Sequence, residues 1–239
     1  VVKEKVMKHD TFRSGIIAVQ PSVVNTAQAA PKGLQWLHLD AKRDALLYVP
    51  VGYNSAQPAP LAVMLHGAGG NAQHGMSLLQ PVADAFGLLL LAPHARGGTW
   101  DIIERERFGV DVLFITQALQ QVLDQYAVAV NKLAIGGFSD GASYALSLGL
   151  LNGRLFTHVL SFSPGFYHAP EPQGKPLIYI LHGTQDGILP INYCSRRIVP
   201  RLQKQNYAVM YHEFEGEHVL PDAVRKEAVE WFLNGTKKQ

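Results

Sequence analysis

Cysteine is almost absent: the 239 residues contain one, Cys194. A single thiol excludes an intramolecular disulfide framework and any zinc site built from several cysteines. It lies in an apparent helical stretch and is expected to be a half-buried helix residue, not a nucleophile. An excess of one charge is lacking too. Lys plus Arg number 21 against 19 for Asp plus Glu, a net charge of +2. No run of Lys or Arg is dense enough to follow a phosphate backbone, so no nucleic-acid partner is expected. Long apolar runs are missing as well. The Leu88–Leu91 block, like the other short runs, falls far short of the roughly 18 residues of a membrane-spanning helix, so none is expected. What is present is a chain that is 47% apolar and 17% charged, which excludes wholesale disorder and provides for a sizeable core.

The amino end imitates a secretory leader without completing one. Met7-Lys8 precedes the short apolar block Gly15–Val19, and Ala27-Gln28-Ala29 has the small-x-small pattern of a cleavage site. Gln20 and Pro21 break the block, leaving too little for an apolar leader core. Residues 1–34 therefore read as an irregular N-terminal arm. A cytoplasmic location is expected, with secretion as the alternative.

From there the punctuation is regular. Gln35–Leu39 and Asp44–Pro50 read as two strands joined by a turn at Asp40–Arg43. Short apolar runs at Leu61–Leu65, Leu88–Ala92, Lys132–Ile135, Thr157–Phe162, Leu177–Leu181 and Tyr207–Tyr211 read as further strands. Between them lie helical patterns. Phe108–Tyr126 carries Val112, Ile115, Leu119, Val122 and Tyr126 three and four apart; Ala142–Leu151 and Ile191–Leu202 follow. Pro221 opens a last helix bearing Val224, Ala228, Trp231 and Phe232, and Gly235 closes it. Strands alternating with helices predict an α/β fold: a mostly parallel central sheet covered on both faces, with the leading hairpin as an antiparallel edge. With no repeat and no linker, residues 35–239 read as one catalytic domain.

The chemistry gathers at Gly137-Phe138-Ser139-Asp140-Gly141, a G-x-S-x-G between a predicted strand and a predicted helix. A turn sharp enough to expose a serine hydroxyl needs small flanking residues, and the helix start aims N–H groups at a developing oxyanion. A serine nucleophile needs a base, and the base an orienting carboxylate, in the chain order Ser, acid, His for α/β-hydrolases. Of the later histidines, His158 and His212 fall on strands, His182 ends one, and His168 precedes any suitable acid. His218, between the last strand and the last helix, takes the base role. Glu171 lies in a Pro-rich loop, and Glu213, Glu215 and Glu217 crowd His218. Asp186, just beyond the carboxyl end of a strand, takes the acid role. In Leu65-His66-Gly67-Ala68-Gly69-Gly70 the glycines allow the Ala68 N–H to join that of Asp140 as an oxyanion donor, with His66 as scaffold.

The segments LHGAGG, GFSDGAS, HGTQDGILP and GEHVLP, spread over residues 44–235, resemble the phospholipase/carboxylesterase family of serine hydrolases, relatives of the acyl-protein thioesterases. That resemblance implies an α/β-hydrolase fold, Ser139, Asp186 and His218 as triad, and Ala68 and Asp140 as oxyanion donors. The thioesterase members usually carry Gln where this chain has Asp140, and need no long arm. Both departures favour a general carboxylesterase over the alternatives, a lysophospholipase or an acyl-protein thioesterase.

Rival readings fare worse. Gly67, Gly69 and Ala72 fit a relaxed dinucleotide fingerprint, but the next strand ends in Ala92-Pro93-His94 instead of an acidic residue. His212, Glu213 and His218 have the wrong spacing for a helical metalloprotease site. A non-catalytic binding protein of the same fold would be expected to lack a triad member. The expected partner is thus a small-molecule ester, with neither metal nor organic cofactor; the oligomeric state is open, a homodimer included. Trp100, Phe166 and Leu189 are the candidate substrate-binding residues, with ordinary core packing as the alternative for Trp100 and with Tyr167 and His168 lying beside Phe166. Gly165–Pro176, a dozen residues with three prolines, is too short and broken for a helical cap, so an open cleft is expected, with the arm as its only movable cover.

Overall fold

The computed structural model describes residues 11–20 and 31–235. The small-x-small site at Ala27–Ala29 and the first ten residues lie outside them. The strands are β1 (Gly33–Trp36), β2 (Leu46–Val49), β3 (Ala59–Leu65), β4 (Leu89–Ala92), β5 (Val128–Phe138), β6 (His158–Phe162), β7 (Leu177–Gly183) and β8 (Val209–Phe214). They form one sheet in the order β1-β2-β4-β3-β5-β6-β7-β8. β1 and β2 pair antiparallel, β2 pairs antiparallel with β4, and every other pairing is parallel. The helices are α1 (Ala72–Ser77), α2 (Gln80–Phe86), α3 (Asp101–Glu104), α4 (Val110–Gln125), α5 (Asp140–Leu151), α6 (Ser195–Lys204) and α7 (Asp222–Asn234).

Strict alternation along the inner strands sorts the core into two layers. Leu61, Val63 and Leu65 of β3 and Ile178 and Ile180 of β7 face the layer that holds α4, α5 and α6. Ala62 and Met64 of β3 and Tyr179 and Leu181 of β7 face α1, α2 and α7. Because both faces are covered, the inner strands read as near-continuous apolar runs.

The sequence places the element types correctly, while several ends move. The first strand ends before His38, whose φ of 58° turns the chain; the Asp44 carboxylate accepts the His38 and Leu39 N–H groups at 2.6 and 3.0 Å. Residues 191–194 form turns ahead of α6, so Cys194 precedes the helix it was expected to belong to, and it is buried. Three short helices escape the periodicity argument, having at most two turns each. Two of them carry local signals: the Asn71 side chain caps α1 through the His74 N–H, and α2 has Pro81 in its first turn and ends at Gly87 with φ 59°.

No helix lies in Gly165–Pro176, so the fold has no cap there. The arm's Gly15–Ile17 stretch packs at the far end of α5 from Ser139. Asn152, at the carboxyl end of α5, accepts the Ile17 N–H and donates to the Gly15 carbonyl, both at 2.8 Å. Twelve helical residues, about 18 Å, separate that contact from Ser139. Among the described residues, no helix is long and apolar enough to cross a membrane.

Candidate active site

The carboxyl ends of β5, β7 and β8 lie on one edge of the parallel sheet, and each delivers one of the three expected residues. Ser139 joins β5 to α5 with φ 59° and ψ −120°. A non-glycine residue held there costs about 1–3 kcal/mol and persists only where its surroundings fix it. They do: the Ser139 N–H donates to the Phe162 carbonyl of β6 at 2.9 Å, and the Ser139 carbonyl accepts the N–H groups of Ala142 and Ser143. Gly141 makes the turn possible, since a Cβ there would run into the carbonyls of Leu65 and His66. The Ser139 hydroxyl makes no hydrogen bond among the described residues.

The loop after β3 lies against this turn; a Cβ on Gly67 would sit 3.4 Å from Ser139 Cβ. The neighbouring N–H groups of this loop are spoken for, Gly69 to the Gly98 carbonyl (2.8 Å) and Gly70 to the Gly67 carbonyl (3.1 Å). The exposed Ala68 has no such partner among the described residues. Asp140 is the first residue of α5, where an N–H has no acceptor within the helix. Its carboxylate is turned aside to Thr99, whose hydroxyl donates to Oδ2 at 2.6 Å.

His66 braces the loop. Its Nε2 accepts the Ala95 N–H at 3.0 Å, which leaves the proton on Nδ1 to bond the Gly67 carbonyl at 2.7 Å. Burial lowers its pKa to about 4, so the ring is neutral at ordinary pH. Trp100, expected as a pocket wall, belongs to this brace instead. It has no exposed surface, its Nε1 donates to the His66 carbonyl at 2.8 Å, and its ring stacks 5.2 Å from Tyr144. An indole that finds both an apolar slot and an acceptor in the interior stays there.

Asp186 follows β7 and is buried. Oδ1 accepts the Ile188 and Leu189 N–H groups at 2.9 and 2.7 Å, and Oδ2 accepts His218 Nδ1–H at 2.6 Å. Burial opposes ionisation, but the His218 bond and the two backbone N–H groups outweigh it and hold the carboxyl below the usual range. His218 stands in the loop after β8, its ring 4.5 Å from that of Phe138, the residue before Ser139. Gly183 makes room for this loop, because a Cβ there would meet the carbonyls of Gly216 and Glu217.

Phe166 is partly exposed, and Leu189 packs beside Gly165, where an added Cβ would lie 3.3 Å from Leu189 Cδ2. The Gly165 N–H donates to Ser143 Oγ in the first turn of α5, so both residues border the Ser139 end of that helix. Tyr167 packs against the core beneath Arg201. His168 lies farther along α5, its N–H on Ser147 Oγ, and lines a 450 Å³ cavity with Arg107 and Phe108. The sequence reading missed Thr99, Phe138 and a buried pair, His182 and Ser195, behind Asp186. Among the described residues no group of three or more His, Cys, Asp or Glu side chains is placed to hold a metal.

No protein-family profile matches the chain. The chain is similar to a probable feruloyl esterase C of Aspergillus oryzae, 28% identical over 182 residues, which cover 72% of this chain and 62% of that protein. It thus spans less than two thirds of that relative's length. Among solved structures, the S-formylglutathione hydrolase of Staphylococcus aureus superposes with a TM-score of 0.70 at 15% identity, covering 89% of this chain and all of that one. A ferulic acid esterase from Anaeromyces mucronatus, in complex with ferulic acid, gives a TM-score of 0.62 at 16% identity, covering 88% of this chain and 94% of that one. With its eight-stranded, mostly parallel sheet and these neighbours, the chain has the α/β-hydrolase fold.

Proposed function

We propose that the chain is a serine carboxylesterase, with residues 35–239 as its catalytic domain and Ser139, His218 and Asp186 as its triad. The observation that carries this is the pairing of a serine in strained left-handed backbone at a strand–helix turn with a His218–Asp186 hydrogen bond of 2.6 Å beside it. Ser139 Oγ attacks the ester carbonyl while His218 Nε2 takes its proton. Asp186 keeps the other imidazole proton on Nδ1 and stabilises the imidazolium. The Ala68 and Asp140 N–H groups receive the oxyanion, which collapses as His218 protonates the departing alcohol. Water then enters, gives its proton to His218, and releases the acid from Ser139 by the same route. The four sequence segments that resemble the phospholipase/carboxylesterase family support the finer placement.

With no cap between β6 and β7, the cleft buries little of a long acyl chain, and each unburied CH₂ forgoes roughly 0.8 kcal/mol of binding. Short-to-medium acyl esters are the expected substrates. The names of its relatives favour a second reading, a planar hydroxycinnamoyl ester, for which Phe166 and Leu189 would flank the ring. Two measurements test the proposal. An organophosphonate should modify Ser139, and Ser139→Ala should abolish both labelling and turnover; a retained rate or an adduct elsewhere overturns the triad. A p-nitrophenyl ester series from acetate to palmitate, with methyl ferulate and a thioester alongside, should peak at short-to-medium length. A maximum at palmitate that jumps when micelles form points to a lipase instead.

A further inference from the structure

Two imidazoles lie beside Asp186 Oδ2. One is His218 at 2.6 Å; the other is His182, whose Nε2 lies 3.2 Å away. His182 is the last residue but one of β7 and has no exposed surface. The same Nε2 is 2.7 Å from the Leu189 carbonyl, and Nδ1 is 2.6 Å from Ser195 Oγ at the start of α6. Two acceptors face Nε2, so that nitrogen carries the proton, and Nδ1 then accepts the Ser195 hydroxyl. We infer that His182, oriented by Ser195, is a positioning residue: its Nε2–H bonds the Leu189 carbonyl, pinning the loop whose Leu189 N–H grips Asp186 Oδ1, and turns its positive edge toward Asp186 Oδ2, so that the carboxylate stays in line with His218 Nδ1. This rests on the triad reading above.

Burial keeps the His182 pKa below its ordinary value, against the Leu189 carbonyl and Asp186, which pull the other way. The ring is therefore a dipole that tunes Asp186, not a second cation. Other groups within reach are fixed. Glu213 of β8 is held to about 2, first by its Arg196 hydrogen bonds, and the Cys194 thiol is pushed up by burial and then by Asp186. Exposed Glu217 adjoins His218 in its loop. Removing the Nε2–H leaves more of the carboxylate's charge to hold a proton on His218, so the acid limb of the rate should move to higher pH. Deleting the Ser195 hydroxyl strands Nδ1 without a partner in a buried site and frees the ring to turn from Asp186, while the two acceptors at Nε2 keep the proton on that nitrogen.

The test compares Ser139→Ala, Ser195→Ala, His182→Gln and His182→Phe by the pH profile of kcat/KM on p-nitrophenyl acetate. Gln can return an N–H near the Nε2 position; Phe cannot. Ser195→Ala and His182→Phe should lose about tenfold in kcat with KM within twofold, and the acid limb should rise by about half a pH unit. His182→Gln should restore most of both. Unchanged profiles in Ser195→Ala and His182→Phe, or a loss of kcat with the acid limb unmoved and no rescue by Gln, overturn the inference. Should His182→Phe fail to fold, Ser195→Ala, which removes a single hydroxyl, decides alone. An active Ser139→Ala instead refutes the underlying triad, a distinguishable result.

Discussion

The proposed Ser139–His218 pair and the buried Ser195–His182 pair both border Asp186, and they differ in access. His182 and Ser195 are sealed from solvent, whereas His218 is partly exposed and Ser139 sits at a turn with its hydroxyl unengaged. The sealed pair has its tautomer fixed and every polar atom satisfied, and nothing can reach it. Among the described residues the open pair keeps a serine hydroxyl and an imidazole Nε2 uncommitted, beside N–H groups without acceptors at Ala68 and Asp140. Residue types alone do not distinguish catalytic from structural chains. The difference lies in which groups are left for substrate.

The largest effect comes from removing what both pairs share. Asp186→Asn leaves the shape but presents an amide to two imidazoles; kcat should fall by up to ~10⁴-fold, as in the serine-protease precedent. Steady-state kinetics checks this, and a loss under tenfold would give the orienting role to another carboxylate. A smaller effect comes from disturbing the open pair alone. Gly183→Ala pushes a methyl group into the Gly216 and Glu217 carbonyls, displacing His218 while Ser195 and His182 stay in place. We expect a ~10–100-fold loss in kcat/KM with the fold kept, read by kinetics alongside circular dichroism.

The smallest effect concerns the sealed imidazoles. Burial lowers the pKa of His182, and those of His66 and His158 to about 4. An imidazole neutral in the fold and protonated when unfolded means that the unfolded chain binds more protons. Its contribution to stability is therefore complete above about pH 6.5 and is lost as pH falls toward 4. Buried Asp111 opposes this, its pKa raised by desolvation to about 6, so that its contribution is largest at low pH and is lost as pH rises through that value. Urea midpoints between pH 7 and 4.5 should still fall on acidification, and His182→Gln should flatten the slope by one imidazole's share. An unchanged slope would mean that His182 is protonated in the fold.

The legible parts of the molecule are those where local chemistry has one solution. G-x-S-x-G between a strand and a helix announces its turn because Gly141 must pass beneath the Leu65 and His66 carbonyls. Pro221 and Gly235 bracket α7, and the spacing of Val112, Ile115, Leu119 and Val122 buries one face of α4. Trp100 was ambiguous in the sequence because a large aromatic after a loop suits a pocket wall as well as a core. Only the acceptor at the His66 carbonyl and the Tyr144 ring decide between them. His182, four residues before Asp186, was visible merely as the end of a strand.

The sequence alone determined the alternation of strands and helices, the strained turn and the order of serine, acid and histidine. Apolar periodicity, glycine and proline act over a few residues, and so leave their mark in the chain itself. Only the tertiary structure decided which N–H groups lack acceptors, which face of Asp186 meets His182, and that the arm's Gly15–Ile17 stretch packs far from Ser139. Each depends on segments tens of residues apart brought within about 3 Å, where burial and hydrogen-bond geometry choose the partner and local pattern has no say.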